Sequence, residues 1–152
     1  MRTRWNLSEH TTGDVEQALP QLDRMTADCG LPHLTRALVH LRVSQIKGCG
    51  VCIDLHLLKL LETGETENRI LALDAWRGST CFSGAERAAL ALAEDVTGVG
   101  GRTQAASDAA WAEARRLYGG PVLAALVLQI AKINAVHGLE TAVMRRSLQA
   151  QT

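Results

Sequence analysis

Beyond Pro121 the chain carries a segment that is apolar over much of its circumference: Val122, Leu123, Leu126, Val127, Leu128, Ile130 and Ile133. A helix with so broad an apolar surface has to be covered, so it is either central in its domain or part of a subunit interface. What can cover it is set by the rest of the chain, which shows helical periodicity almost everywhere and no convincing strand alternation. Aromatic residues are only 3% of the chain, so the core is built mainly from Leu, Ala, Val and Ile, which suits close helix packing. The expected fold is all-α, with six or seven helices joined by short links.

The helix signals are individually legible. Asp14 to Cys29 reads as a first helix that Pro20 should kink or split, with Gly30 ending it. Pro32 to Gln45 follows, with Leu34, Leu38 and Leu41 on one stripe. A third helix starts near Cys49 and runs to about Leu61, and Glu67 to Trp76 reads as a fourth. Ser83 and Glu86 form a capping-box pattern opening a fifth through Glu94. The cluster Gly98, Gly100 and Gly101 marks the longest loop. Ser107 is positioned to cap a sixth helix to Tyr118, and Pro121 fits the first turn of a final helix to about Ser147.

At 152 residues the chain fits a single domain, 1–152, with a core of about 32–145. Sixteen basic and sixteen acidic residues cancel, leaving no basic field for nucleic acid. Met1 to Thr12 is polar, so no signal peptide is expected. The longest unbroken apolar run, Val122 to Leu128, is far shorter than the roughly 20 residues a membrane span needs. The expectation is a cytoplasmic protein with no membrane partner.

Four cysteines, Cys29, Cys49, Cys52 and Cys81, are too few for a disulfide scaffold. Cys49 and Cys52 form a Cys-x-x-Cys motif, and His56 follows four residues later. Residues in a helix advance by about 100° each, so Cys49, Cys52, His56 and Lys59 fall on one stripe with no acid among them. Thiols in a first helical turn meet free N–H groups and the positive end of the dipole, which favour the nucleophilic thiolate. His56 can take a proton from Cys52 and return it to a leaving oxygen. Peroxide reduction suits such a centre: a thiolate becomes a sulfenic acid, and its neighbour condenses with it to a disulfide.

Other readings of the motif stay open. The two cysteines can be buried apolar residues. A zinc site needs four ligands, and the further donors, His33, His40, Cys81 and His137, are scattered along the chain, so no metal is expected. A thioredoxin-like site would need a βαβ pattern, which is missing. Cys29 and Cys81 read as packing residues, and Trp76 and Trp111 as core or interface. His137 can reach the pocket from the last helix, but is expected at solvent or an interface.

The run from Leu38 to His56, containing Ser-Gln-Ile-x-Gly-Cys-x-x-Cys-x-x-x-His, resembles the core of the AhpD-like alkylhydroperoxidases of the carboxymuconolactone decarboxylase superfamily. The resemblance continues through Ala75 to Arg77, Phe82 and Ser83, Glu86 to Glu94, Thr97, and Ile130 to Ala135, covering most of the chain after about residue 30. It implies an all-helical fold that assembles as trimers or hexamers. It also implies a hydroperoxide substrate, no bound cofactor, and an external thiol or disulfide electron-donor protein. By position Cys52 matches the peroxide-attacking cysteine, Cys49 the resolving cysteine and His56 the relay histidine. The relay glutamate twelve residues before the first cysteine is replaced by Ala37, and no Asp or Glu lies between His33 and Gly48. His40 and Ser44, three and seven residues beyond Ala37, are the candidates to replace it. Where the family often reads Asn-Ala-Trp-Asn-Arg, this chain reads Asn134-Ala-Val-His-Gly138. Two alternatives to a peroxidase follow: a redox-sensing oligomer without efficient turnover, or a decarboxylase of a lactone acid, which would leave the cysteine pair unexplained.

Overall fold

The computed structural model describes residues 15–98 and 107–143. Among them lie α1 (Val15–Thr26), α2 (His33–Lys47), α3 (Gly50–Glu62), α4 (Glu67–Ala72), a 3-10 turn (Trp76–Gly78), α5 (Gly84–Thr97), α6 (Asp108–Leu117) and α7 (Gly120–Val143), with no strand. The all-α expectation holds. Asp14 and the loop glycines Gly100 and Gly101 lie outside the described residues, as does the stretch beyond Val143 where the last helix was expected to end.

Caps behave as their side chains dictate. The Ser83 hydroxyl accepts from the Glu86 N–H at 3.2 Å, and the Ser83 N–H donates to Glu86 Oε2 at 2.8 Å, which closes the capping box. Ser107 accepts from the Ala110 N–H at 3.2 Å. Gly48 ends α2 at φ 64°, a left-handed conformation that lets the chain turn directly into the cysteine motif.

Several elements differ from expectation, and α1 ends at Thr26 where Cys29 was expected. α1 runs through Pro20 as one element, with Pro20 on its exposed side. α5 continues one turn past Glu94 to Thr97, which is buried. The fourth helix stops at Ala72 instead of reaching Trp76. Beyond it the Arg87 guanidinium donates to the carbonyls of Trp76 at 2.9 Å, Ser79 at 3.0 Å and Arg77 at 2.8 Å, which holds the 3-10 turn at Trp76–Gly78. This turn buries the Trp76 ring, whose Nε1 donates to Glu94 at 2.9 Å.

α2 is central because it offers two faces. Val39 and Val43 pack with Ala88, Ala89, Leu92 and Ala93 of α5, and with Leu126 and Ile130 of α7. Leu38 and Leu41 join a second cluster with Leu60, Leu73, Trp76, Phe82 and Leu90. The alanines let α5 approach closely. Each fully buried Leu contributes about 1.5–3 kcal/mol relative to leaving it in water.

α7 is longer in apolar character than its unbroken run suggested: Gly120–Ala142 is long and apolar enough to cross a membrane by length and composition. Isolated polar residues such as Gln129 interrupt the run without ending the segment. In the fold, Ala125, Leu126, Gln129 and Ile130 of this helix are fully buried. It packs against α1, α2, α5 and α6 as a core helix.

Glu94 ties α2, α5 and the 3-10 turn together. It accepts from Arg42 Nε at 2.6 Å, from Trp76 Nε1 and from Arg77. Arg42 also reaches Asp74 at 2.8 Å. Burial acts to raise the Glu94 carboxyl, but hydrogen bonds from Trp76, Arg77 and Arg42 outweigh it and hold the pKa below its ordinary value.

Candidate active site

Cys49 and Cys52 are joined by a disulfide at the start of α3. Cys49 is the N-cap, with extended backbone (φ −89°, ψ 96°), and stands outside the helical stripe on which it was expected. Cys52 is in the first turn and buried, whereas Cys49 is half-buried. The pair therefore presents a sheltered sulfur and a more accessible one.

A cavity of about 480 Å³ opens against Cys52. His40, His56, Lys59, Lys132 and Glu140 contribute its polar lining, and Val51, Leu55, Ile133 and Val136 its apolar walls. Ala37 also lines it. The position that carries the relay glutamate in the family therefore faces the right space but brings no carboxylate.

The carboxylate comes from elsewhere. Glu140 of α7 places Oε2 2.8 Å from Cys52 Sγ and 3.6 Å from Cys49 Sγ. A disulfide sulfur has no hydrogen to donate. The contact becomes a hydrogen bond when the carboxyl holds a proton, or when reduction gives a thiol that donates to the carboxylate. Burial raises the Glu140 pKa, which favours the protonated acid beside the disulfide. Sequence reasoning missed Glu140. Its signal is a row of polar residues at helical spacing, Gln129, His137 and Glu140, along one face of a largely apolar helix.

His137 is buried, not at solvent as expected. Its Nε2 lies 3.0 Å from Ser44 Oγ, and Ser44 Oγ donates to the His40 carbonyl at 2.9 Å. The only hydroxyl proton of Ser44 is thereby committed, so His137 Nε2 carries the hydrogen and donates, leaving the lone pair on Nδ1. Donor atoms of Cys49, Cys52, His137 and Glu140 all lie within 4.8 Å of one another. The view of His137 as a scattered donor is thus corrected, whereas His33, His40 and Cys81 stand outside this group.

His40 and Ser44 are buried close to the site, but neither hydrogen-bonds His56. His40 Nε2 donates to Gln129 Oε1 at 3.1 Å, and Gln129 in turn donates to Asp23 and Thr26. The His40 and His56 rings meet edge to face, 5.3 Å between centroids. Burial, followed by the charges of His56, Lys132 and Arg36, lowers His40 to about 3. Burial, with Lys59 and His137, lowers His56 to about 4. Both rings are neutral at pH 7, so His56 can accept a proton there. Of the remaining singled-out residues, Trp76 is core and Trp111, 40% exposed, stands outside it, while Cys81 is exposed, contrary to a packing role.

The depressed histidines make stability depend on pH with a definite sign. Unfolded, both rings protonate near 6.5; folded, they resist until about 3 and about 4. Their contribution is complete above the unfolded value and is lost as pH falls. Each costs about 1.4 kcal/mol per pH unit below roughly pH 6. Glu140, raised by burial, acts in the opposite sense around the carboxylate range. Thermal unfolding followed from neutral pH down to about 5 should show a steady fall in Tm. A flat curve would mean that the rings charge freely within the fold.

The family model for the carboxymuconolactone decarboxylase family matches residues 13–95. The uncharacterised protein YdfG of Bacillus subtilis (strain 168) is 33% identical over 126 residues, spanning 83% of this chain and 84% of its own. The uncharacterised protein YnjA of Escherichia coli (strain K12) is 38% identical over 64 residues, 42% of this chain and 35% of its own. A crystal structure from Agrobacterium tumefaciens superposes with a TM-score of 0.80 at 26% identity, covering 97% of this chain and 100% of that one. That protein is described as of unknown function and provisionally as the antioxidant defence protein AhpD. The chain belongs to the carboxymuconolactone decarboxylase family, with an AhpD-like fold.

Proposed function

We propose that the protein is a thiol-dependent alkylhydroperoxide reductase with an antioxidant role. The observation that carries this reading is the Cys49–Cys52 disulfide at the mouth of a cavity, with the Glu140 carboxylate 2.8 Å from the buried sulfur.

In the reduced protein Cys52 is the attacking thiol, since it lines the cavity. Glu140 takes its proton, with neutral His56 as a second acceptor. The thiolate attacks the terminal peroxide oxygen, the O–O bond breaks, and the proton leaves with the alkoxide as an alcohol. Cys52 is then a sulfenic acid. The Cys49 thiol displaces water from it and re-forms the disulfide. An external thiol or disulfide electron-donor protein reduces that bond through the more accessible Cys49. Val51, Leu55, Ile133 and Val136 suit an alkyl substituent on the peroxide.

His40 and Ser44 enter as positioning residues: Ser44 orients His137, and His40 holds its edge contact with His56. No bound cofactor is required, and neither nucleic acid nor membrane is a partner. A reducing compartment such as the cytoplasm would sustain the dithiol. Val51, Leu55 and Leu58 expose an apolar stripe on α3 at 60%, 50% and 57%, which supports assembly as a homo-oligomer, trimer or hexamer.

Dithiol-dependent consumption of an organic hydroperoxide should be measurable for the wild type and abolished by Cys52→Ser. Equal, negligible rates in both would overturn the peroxidase. Reversible thiol oxidation without turnover would then favour a redox-sensing oligomer, a reading supported by Ala37 in place of the usual glutamate. Decarboxylation of a lactone acid gives the cysteine pair no task.

A further inference from the structure

We propose that the reduced protein binds one thiophilic divalent cation, Zn²⁺ or its analogue Co²⁺, through Cys49, Cys52, His137 and Glu140, and that formation of the disulfide releases it. Two of these ligands come from the start of α3 and two from one face of α7, spaced i and i+3. Their donor atoms already lie within 4.8 Å of one another. Bonds of about 2.0–2.3 Å in a tetrahedron place ligand atoms about 3.3–3.8 Å apart, so the widest of these separations contracts by about 1 Å while the two sulfurs, bonded to each other in the disulfide, move apart on reduction. Glu140 Oε2 is already inside that range from Cys49 Sγ, at 3.6 Å, and at 2.8 Å from Cys52 Sγ it has to move out by about 0.5 Å.

The surrounding groups fit the same reading. A ligating histidine donates its other ring N–H to a fixed acceptor, which sets the ring's orientation. Ser44 fills that role for His137, holding Nε2–H and leaving the Nδ1 lone pair for a metal. Cys49 and Cys52 at a helix start have the Cys-x-x-Cys spacing of structural zinc sites. Two thiolates, one carboxylate and a neutral imidazole carry three negative charges, and the cation leaves one. The amine of Lys47, whose charge acts on His137, sits on the same side of the fold.

Oxidation and metal binding exclude each other, because a disulfide sulfur is no thiolate. An organic hydroperoxide supplies the oxidant. The two metal-bound thiolates give up two electrons and form the S–S bond, and the peroxide takes those electrons with two protons to yield an alcohol and water. The cation is left with only His137 and Glu140, and departs. An external thiol returns the pair to the metal-binding state. The proposal needs the cysteine pair to be reducible but does not need catalytic turnover, so it stands apart from the peroxidase reading.

The test is a titration of the reduced, chelator-treated full chain with Co²⁺, followed by Zn²⁺ competition against a chromophoric chelator. One equivalent should bind per chain, with thiolate-to-cobalt charge transfer and the intense visible bands of a tetrahedral ion. The disulfide form should not bind. His137→Ala and Glu140→Gln should weaken Zn²⁺ by at least about 10-fold, and Ser44→Ala by about 10-fold through loss of ring orientation. Adding a hydroperoxide to the loaded wild type should release the metal in step with disulfide formation. Re-formation of the Cys49–Cys52 disulfide in each variant reports that it is folded. Absence of stoichiometric binding, equal binding by the oxidised chain, or affinity unchanged in both His137→Ala and Glu140→Gln would overturn the proposal. A peroxidase that fails its own assay yet binds metal in this pattern would leave the site intact.

Discussion

Replacing Glu140 with glutamine should lower the rate at which the reduced protein consumes an organic hydroperoxide by about 10²-fold, the usual contribution of a positioned general base. The substitution keeps the size of the side chain and its place beside Cys52 but removes the ability to take up a proton. His56 cannot compensate fully, since no carboxylate among the described residues hydrogen-bonds it to stabilise a positive ring and its surroundings keep it neutral down to about pH 4. The variant should therefore depend on thiolate formed by solvent. Its rate should climb with pH through the range where a thiol ionises, while the wild type levels off earlier. Rapid-mixing kinetics on the pre-reduced protein read both effects in a single turnover, before any external reductant becomes limiting. A rate within about twofold of wild type, with an unchanged pH profile, would remove Glu140 from the proton path.

The largest loss of stability is expected at Glu94, far from the reaction. Glu94→Ala should cost about 3–5 kcal/mol, because it strands the Arg42 guanidinium and the Trp76 N–H without their shared acceptor. Arg42 is only 12% exposed, and its remaining carboxylate partner Asp74 is 80% exposed. Little of the charge is recovered by water or by that partner. Arg77 is 58% exposed and contributes much less to the loss. At this chain length the change corresponds to a fall in Tm of about 10 °C. Equilibrium denaturation of the variant measures it directly. A loss under about 1 kcal/mol would place the cluster among ordinary surface ion pairs.

Local chemistry made much of the fold legible. Ser83, Glu86 and Ser107 mark helix starts through their own side chains, and those helices begin where the sequence says. The 3-10 turn after α4 was not legible, because the guanidinium that holds its carbonyls belongs to Arg87, eight to eleven residues further on. The same division runs through the site. Cys49, Cys52 and His56 lie within one short stretch and could be read together. Glu140 approaches Cys52 from 88 residues away, and only the packing of both α3 and α7 on α2 makes them neighbours. The place of His137 was not settled by the sequence, because nothing local shows that its face of α7 turns inward toward Ser44.

Ala37 and Glu140 border one hollow from opposite ends of the chain. An alignment column is a poor guide to a property that belongs to a volume of space. Scored at the α2 position alone, a protein of this kind would be set aside as having lost its acid. Scored by what surrounds the sulfur, it has moved the acid to another wall. Relatives of this fold are better sorted by whether any helix delivers a carboxylate to the thiol than by which helix does.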